Sequence, residues 1–443
     1  MRIVLASFAS LPTSIGGGEV HLWQVAKGLQ ASGNEVSVLT IEQVGGNEVR
    51  VRESDFDGIR VNYLQLPKGP SIYSRDFRLT KWASEWLRAE SVEVLHLFLF
   101  NQLQGLIPAA NKLHIPVCLT ALEFSYFCRR YDLMYGGRER CSLESRGEKC
   151  EQCILESYSR NQRLVAGVAR TLPARAETQL RQTVKQVFGD RLPALGQRTI
   201  SHQIEAQRQN FNAEIAAVIT PSTVMREFYL AQGVSEAKLH FIPYGSDLRS
   251  DEVAHRNGHK GLRVGYIGRL DPKKGVDLLC QAVGMLPREL PIELNIYGPA
   301  ENGDAYAEAI RQHARNDDRI KLCGKLERAE VASTYNAIDV LAVPSIWYEN
   351  SPITISESLS MGCPVVCSDT AGMTDLVRNE VNGLTFPVGS NRGLAICLRR
   401  LAEEPGLLGR LRKGVRPVET TGQVIAQILQ VYEYVTGQAE GTR

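Results

Sequence analysis

Short apolar runs alternate with stretches of helical spacing from the first residues of this chain. Arg2 to Ser7 is a compact apolar run, and the loop Ile15-Gly16-Gly17-Gly18 follows. Val20 to Ala31 then sets Val20, Trp23, Val25, Ala26 and Leu29 near helical spacing, Gly33 closes that helix, and the valine-rich Glu35 to Thr40 returns as a strand. Strand, helix and strand in this order predict a βαβ unit and with it a parallel sheet. Further apolar runs predict strands at Val94 to Phe98, Val117 to Thr120 and Ala217 to Thr220.

The pattern restarts after Ser250 to Lys260, a polar stretch that reads as a linker. Arg263 to Ile267 predicts a strand, Asp277 to Met285 a helix and Glu293 to Tyr297 another strand; Arg319 to Leu322, Val340 to Val343 and Pro364 to Ser368 continue the series. Two βα series joined by a linker predict an α/β chain of two Rossmann-like, doubly wound domains. The expected boundaries are 1–250 and 258–415, with a helical tail over 416–443. Within the first domain, a cysteine loop is expected at about 124–155 and a helical insertion at about 156–210. Glu156 to Asn210 carries nine Lys or Arg against four Asp or Glu. That insertion reads as a solvated helical face, or as a basic face toward an anionic acceptor at a membrane surface.

Composition narrows the class. An apolar share of 43% and a charged share of 23% belong to a water-soluble globular chain. A net charge of +2 gives no broad field for nucleic acid. Met1 to Ala9 is too short and too interrupted for a leader and reads as the first strand. No apolar run approaches the roughly 18 residues that cross a bilayer, so a cytoplasmic enzyme is expected. Cys280, Cys323, Cys363, Cys367 and Cys397 stand among apolar neighbours and read as buried thiols.

Candidate chemistry concentrates in the second series. Gly268-Arg269 ends a strand, and Asp271-Pro272-Lys273-Lys274-Gly275 leads into a helix, the edge at which open α/β sheets bind ligands. Arg269 can fork onto phosphate oxygens and Lys274 adds a point charge. Further on, Glu349 and Glu357 are separated by seven residues. Ser351 reads as an N-cap and Pro352 as the first helical residue, so Asn350 to Ile353 would offer an anion the free N–H groups of a helix start.

The runs GRLDPKKG, YENSPITISESLSMGCPVV and NGLTFP resemble the donor half of the family 4 glycosyltransferases, and Pro243-Tyr244-Gly245-Ser246-Asp247 is similar to the run that precedes that family's interdomain linker. The resemblance implies the GT-B fold, with the two domains facing across a cleft. It assigns the donor to 258–415, the acceptor side to 1–250 and a crossing helix to 416–443. It implies transfer from a UDP- or GDP-sugar to an acceptor hydroxyl with retention and no metal cofactor for catalysis. Glu349, Arg269 and Lys274 would be the catalytic set; Gly17, Gly18, Gly268, Asn350, Ser351, Pro352, Ile353 and Glu357 would help bind the donor. The acceptor would be a glycan, lipid-linked glycan or natural product, met in the cytoplasm or at the inner face of the membrane. A nucleotide-sugar-binding subunit, or a hydrolase or epimerase on the same fold, stays open. A nicotinamide dehydrogenase does not fit, because neither half has G-x-G-x-x-G at its first strand–helix turn.

Relatives carry a His after the strand matching Val117 to Thr120; here Leu122 stands in its place, and Glu123 follows. Glu19, His96 and Glu123 are therefore the acceptor-side candidates. Cys128, Cys141, Cys150 and Cys153 have twelve, eight and two residues between them. That spacing suits a tetrahedral thiolate site, with structural zinc the first candidate, an iron–sulfur cluster the second, and free or oxidised thiols the remaining reading.

Overall fold

The computed structural model describes the chain except residues 11, 13–15, 47, 68–74, 129, 138, 145–147, 157–196, 250–260, 300–303 and 441–443. Most of the basic insertion and the Ser250 to Lys260 linker therefore lie outside the described residues. The chain divides into two compact units. The first takes Met1–Pro221, Met225–Ile242 and Ile425–Arg443; the second takes Ser222–Val224 and Pro243–Val424.

The first unit is built on strands β1 (Arg2–Ala6), β2 (Glu35–Gly46), β3 (Arg50–Phe56), β4 (Ile59–Pro67), β5 (Val94–Leu97), β6 (Val117–Thr120), β9 (Ala217–Thr220) and β10 (Leu239–Phe241). They form one sheet in the order β10-β9-β6-β5-β1-β2-β4-β3. Every pairing is parallel except β3 with β4. Helices α1 (Gly17–Ala31), α2 (Phe77–Ala89) and α3 (Leu106–Lys112) supply crossovers. A two-stranded hairpin, β7 (Met134–Tyr135) with β8 (Glu139–Arg140), and α4 (Glu148–Glu156) make up the cysteine loop. Helices α5 (Gln197–Glu214) and α6 (Thr223–Ala231) flank β9.

The second unit is a six-stranded, wholly parallel sheet of β11 (Leu262–Ile267), β12 (Ile292–Tyr297), β13 (Ile320–Gly324), β14 (Val340–Val343), β15 (Val365–Ser368) and β16 (Gly383–Phe386). Its order, β13-β12-β11-β14-β15-β16, is that of dinucleotide-binding sheets. Strands β14 and β15 are buried at every residue because helices cover both faces there, whereas β13 at the edge is exposed after Ile320. In β14, Val340 and Ala342 join the core formed with α7 (Val276–Gly284), α8 (Ala305–Asn316), α11 (Asn391–Glu403) and α12 (Leu407–Gly414). Leu341 and Val343 join the opposite core with α9 (Val331–Ala337) and α10 (Ile353–Ser360).

Cys280, Cys363, Cys367 and Cys397 are buried in these cores, but Cys323 is exposed. It sits on β13, at the edge of the sheet, where one side has no neighbouring strand. The last helix, α13 (Thr421–Glu440), ends in the first unit. There Tyr432 is fully buried, its hydroxyl 2.5 Å from His96 Nδ1. Among the described residues, no helix is long and apolar enough to cross a membrane.

Candidate functional site

In the second unit, two loops leave the carboxyl ends of neighbouring strands and are locked together by backbone. After β11, Asp271 caps a single 3-10 turn, Pro272–Lys274, by accepting from Lys273 N at 2.9 Å. Gly275 follows with φ +67°, and a Cβ there would fall 2.2 Å from Pro344 O. The loop after β14 can therefore lie directly on this turn only because residue 275 is glycine. Ile346 N donates to Lys273 O at 2.9 Å and completes the lock. Gly372, at φ +89°, supports the same loop from its other side, since a Cβ there would stand 1.9 Å from Glu349 O.

This framework brings Lys274 to Glu349. The ammonium lies 2.7 Å from Glu349 Oε1, and Ser345 Oγ donates to the same oxygen at 2.5 Å. Glu349 is only 5% exposed. Burial pushes its carboxyl up, but the Lys274 charge, aided by hydrogen bonds from Lys274 and Ser345, outweighs burial and holds it below the usual range. Arg269, on the same turn, is exposed, and its carbonyl accepts from Tyr266 Oη at 2.7 Å. Gly268 precedes it with φ +158°.

Glu357 behaves differently. It lies in α10, almost as buried, with Oε1 accepting from Arg328 Nη1 at 3.0 Å and Oε2 3.1 Å from Tyr335 Oη. Burial raises its pKa, and the exposed Arg328 together with Tyr335 offsets this only in part. Ser345, Arg328, Tyr335 and Trp347 escaped the sequence reading. Arg328 and Tyr335 stand 29 and 22 residues from Glu357, in a helical stretch without a distinctive pattern.

The helix start differs from expectation by one residue. Pro352, not Ser351, is the N-cap of α10, and Ile353 is its first residue. Pro352 biases Ser351 away from helical geometry, and its own carbonyl accepts from Ile355 N at 2.9 Å. The proline ring offers no acceptor to the first N–H groups. Asn350 is held by its side chain, receiving from Ser222 Oγ at 3.1 Å and donating to Tyr244 Oη at 2.9 Å. Tyr244, a departure from the resembled pattern, thus has a definite partner. Ser246 N bonds Glu419 O at 3.0 Å, which ties this segment to the stretch before α13.

In the first unit, Gly17 and Gly18 open α1, and Leu122 packs against it: a Cβ on Gly18 would lie 3.1 Å from Leu122 Cδ1. Glu19 folds back toward Gly16, whose Cβ would meet its Oε2 at 2.6 Å. Glu123 accepts from Asn101 Nδ2 at 3.2 Å, and burial, with a smaller push from Glu19, raises its pKa. His96 does not face an open site. It is 0% exposed, and its Nε2 lies 2.7 Å from Thr120 Oγ1 while Nδ1 meets Tyr432. Burial lowers its pKa to about 3, so it is a neutral core histidine.

Of the four loop cysteines, Cys141 lies near enough to Cys128, Cys150 and Cys153 to feel them electrostatically. Cys150 and Cys153 stand one helical turn apart in α4, and Gly136 N approaches Cys153 Sγ at 3.4 Å. Burial raises the pKa of Cys141, the Cys153 and Cys150 thiols add to it, and Lys149 opposes it. Cys128 is pushed up to about 12 by burial. None of the ten cysteines forms a disulfide. Among the described residues, no three His, Cys, Asp or Glu side chains gather as a metal-holding group.

Two doubly wound units, with basic and acidic side chains at the carboxyl edge of the second, give the chain the GT-B fold. Solved structures with this fold align along its whole length. They include Anabaena HepE, determined in complex with UDP (TM-score 0.61, 16% identity, all of both chains), and sucrose-phosphate synthase from Thermosynechococcus elongatus (0.63, 19%, 99% of both).

The two halves also match separate domain families. Residues 16–149 match a glycosyl transferase 4-like domain, and residues 261–404 match glycosyl transferases group 1. D-inositol 3-phosphate glycosyltransferase of Kineococcus radiotolerans is 27% identical over 46% of this chain and 52% of that protein. Phosphatidyl-myo-inositol mannosyltransferase of Mycolicibacterium smegmatis is 28% identical over 44% and 52%. The chain thus spans about half the length of these relatives.

The Lys274–Glu349 pair makes a prediction about stability. Lys274→Met leaves a buried carboxylate without its ammonium, so burial outweighs the remaining hydrogen bond from Ser345 and raises the Glu349 pKa. The variant should be about 3 kcal/mol less stable than wild type near neutral pH. The gap should narrow toward about pH 4.5, as Glu349 takes up a proton in the variant while wild type, with its lowered pKa, still holds the charge. Urea denaturation at the two pH values reads this directly. A gap of equal size at both would show that Glu349 does not depend on Lys274.

Proposed function

We propose that the protein is a glycosyltransferase that moves a sugar from a nucleotide diphosphate sugar, UDP or GDP, to an acceptor hydroxyl with retention at the anomeric carbon. The observation that carries this reading is the buried Lys274–Glu349 pair with Glu357 eight residues on, at the carboxyl edge of a dinucleotide-type sheet. In this reading Lys274, Arg269 and the open N–H groups at the start of α10 neutralise charge that grows on the leaving diphosphate. Glu349, kept ionised, accepts from hydroxyls of the transferred sugar. Glu357 takes the ribose hydroxyls in competition with Arg328. A leaving-phosphate oxygen takes the acceptor proton, so no separate base is needed.

HepE's complex with UDP and the inositol-named relatives support a uridine donor and a polyol or glycan acceptor. Gly17, Gly18, Glu19 and Glu123 are the first unit's contribution to this reading, and the acceptor is met in the cytoplasm or at the membrane's inner face.

We also propose that the cysteine loop takes up structural zinc. The spacing of the four cysteines, with a C-x2-C pair on one helical turn, supports it, although among the described residues the thiols are not drawn together as a metal-holding group; zinc would make thiolates of Cys128 and Cys141, whose pKa burial raises. Metal analysis of protein purified without chelator should find about one zinc per chain, falling in Cys150→Ser. A zinc-free protein with unchanged melting after zinc is added would end this part of the proposal.

For the donor, the pure protein is offered UDP-, GDP-, ADP- and TDP-sugars, and its melting temperature is compared with that of Glu357→Ala. One nucleotide sugar should raise the midpoint of wild type and not of the variant. The same donor, labelled, should then pass its sugar to an acceptor. A nucleotide bound without transfer to any acceptor would indicate a binding subunit, and stabilisation of both proteins alike would remove Glu357 from the site.

A further inference from the structure

Trp347 stands two residues before Glu349, on the loop that leaves β14. Two ammonium groups share its ring: Lys273 Nζ lies 5.3 Å and Lys274 Nζ 5.2 Å from the centroid. Both distances fall within the roughly 6 Å over which the negative face of an indole attracts a cation. The arrangement is fixed by backbone as well as by side chains. Ile346, next to Trp347, donates its N–H to the carbonyl of Lys273, and Gly275 lets Pro344 O close on the turn. Lys274 is thus bounded by the indole and by the Glu349 carboxylate.

Two like charges brought to one ring repel each other. The ring and Glu349 relieve this in part. At the indole two ammonium groups stand together, and one carboxylate, Glu349, pairs with Lys274. A ligand carrying adjacent negative oxygens completes the balance, and a diphosphate has that form. An aliphatic side chain at 347 would fill the space but offer no negative face, so the ring's hold on the two ammonium groups would be lost.

The geometry points to Trp347 as a positioning residue that holds Lys273 and Lys274 side by side as a paired clamp for a diphosphate. This rests on the donor-site reading above and adds two residues to it. Lys273 binds phosphate beside Lys274, and Trp347 sets where both ammonium groups stand.

The test uses the full chain, with UDP and inorganic pyrophosphate as probes and calorimetric titration as the readout. Trp347→Phe keeps an aromatic face and should bind both probes within about threefold of wild type. Trp347→Leu should weaken both by about tenfold, with a steeper loss as salt is raised. Lys273→Ala should weaken both by about fivefold. Glu357→Ala should lose UDP while keeping pyrophosphate, which separates the clamp from the nucleoside contacts.

The clamp is overturned if Trp347→Leu binds as wild type does, if Trp347→Phe loses as much as Trp347→Leu, or if Lys273→Ala changes nothing. Melting curves show whether Trp347→Leu remains folded; if it does not, Lys273→Ala decides alone. Wild type that binds pyrophosphate but no nucleotide overturns the donor reading and keeps the clamp.

Discussion

A buried ammonium–carboxylate pair, Lys274 with Glu349, sets the form of the second unit's carboxyl edge. Withdrawing a carboxylate from water costs several kcal/mol, and only a close opposite charge with good hydrogen bonds offsets it. Glu349 has both, from Lys274 and Ser345. The pairing requires two loops, from strands adjacent in the sheet but far apart in sequence, to touch through backbone. Gly275 and Gly372 allow this, because any side chain at either would run into a carbonyl of the Glu349 loop. The sheet order supplies the remaining condition by placing β14 beside β11.

The two glutamates of this edge are matched to different tasks by their surroundings. Lys274 keeps Glu349 ionised despite burial, which suits a permanent hydrogen-bond acceptor. Glu357 has a raised pKa and leans on an exposed arginine, a weaker and screened partner. One carboxylate is fixed; in the proposed donor site the other would exchange Arg328 for a ligand's hydroxyls. Burial and charge neighbours produce this difference within a single helix start and the loop before it.

Much of this was legible in the sequence, and what escaped did so for physical reasons. The parallel strands announced themselves because a sheet covered on both faces needs continuous apolar runs, as in Val340 to Val343. The β3–β4 hairpin did not, because Arg50 to Phe56 is solvated on both sides and shows no alternation. Glu349 and Glu357 stood out by spacing, yet their partners Ser345, Arg328 and Tyr335 are defined by three-dimensional contact and carry no pattern of their own. Cys323 looked buried from its neighbours, but strand order put it on an edge. His96 lay at a strand end where a ligand-facing role was open, until α13 covered it with Tyr432. The cap of α10 fell at Pro352 because a proline restrains the residue before it.

The most direct test of the central claim is a crystal structure of the protein with UDP bound. The diphosphate should lie against Lys274, Arg269 and the start of α10, with the ribose hydroxyls on Glu357 in place of Arg328. Nucleotide bound elsewhere, with the Lys274–Glu349 and Arg328–Glu357 pairs untouched, would contradict the claim.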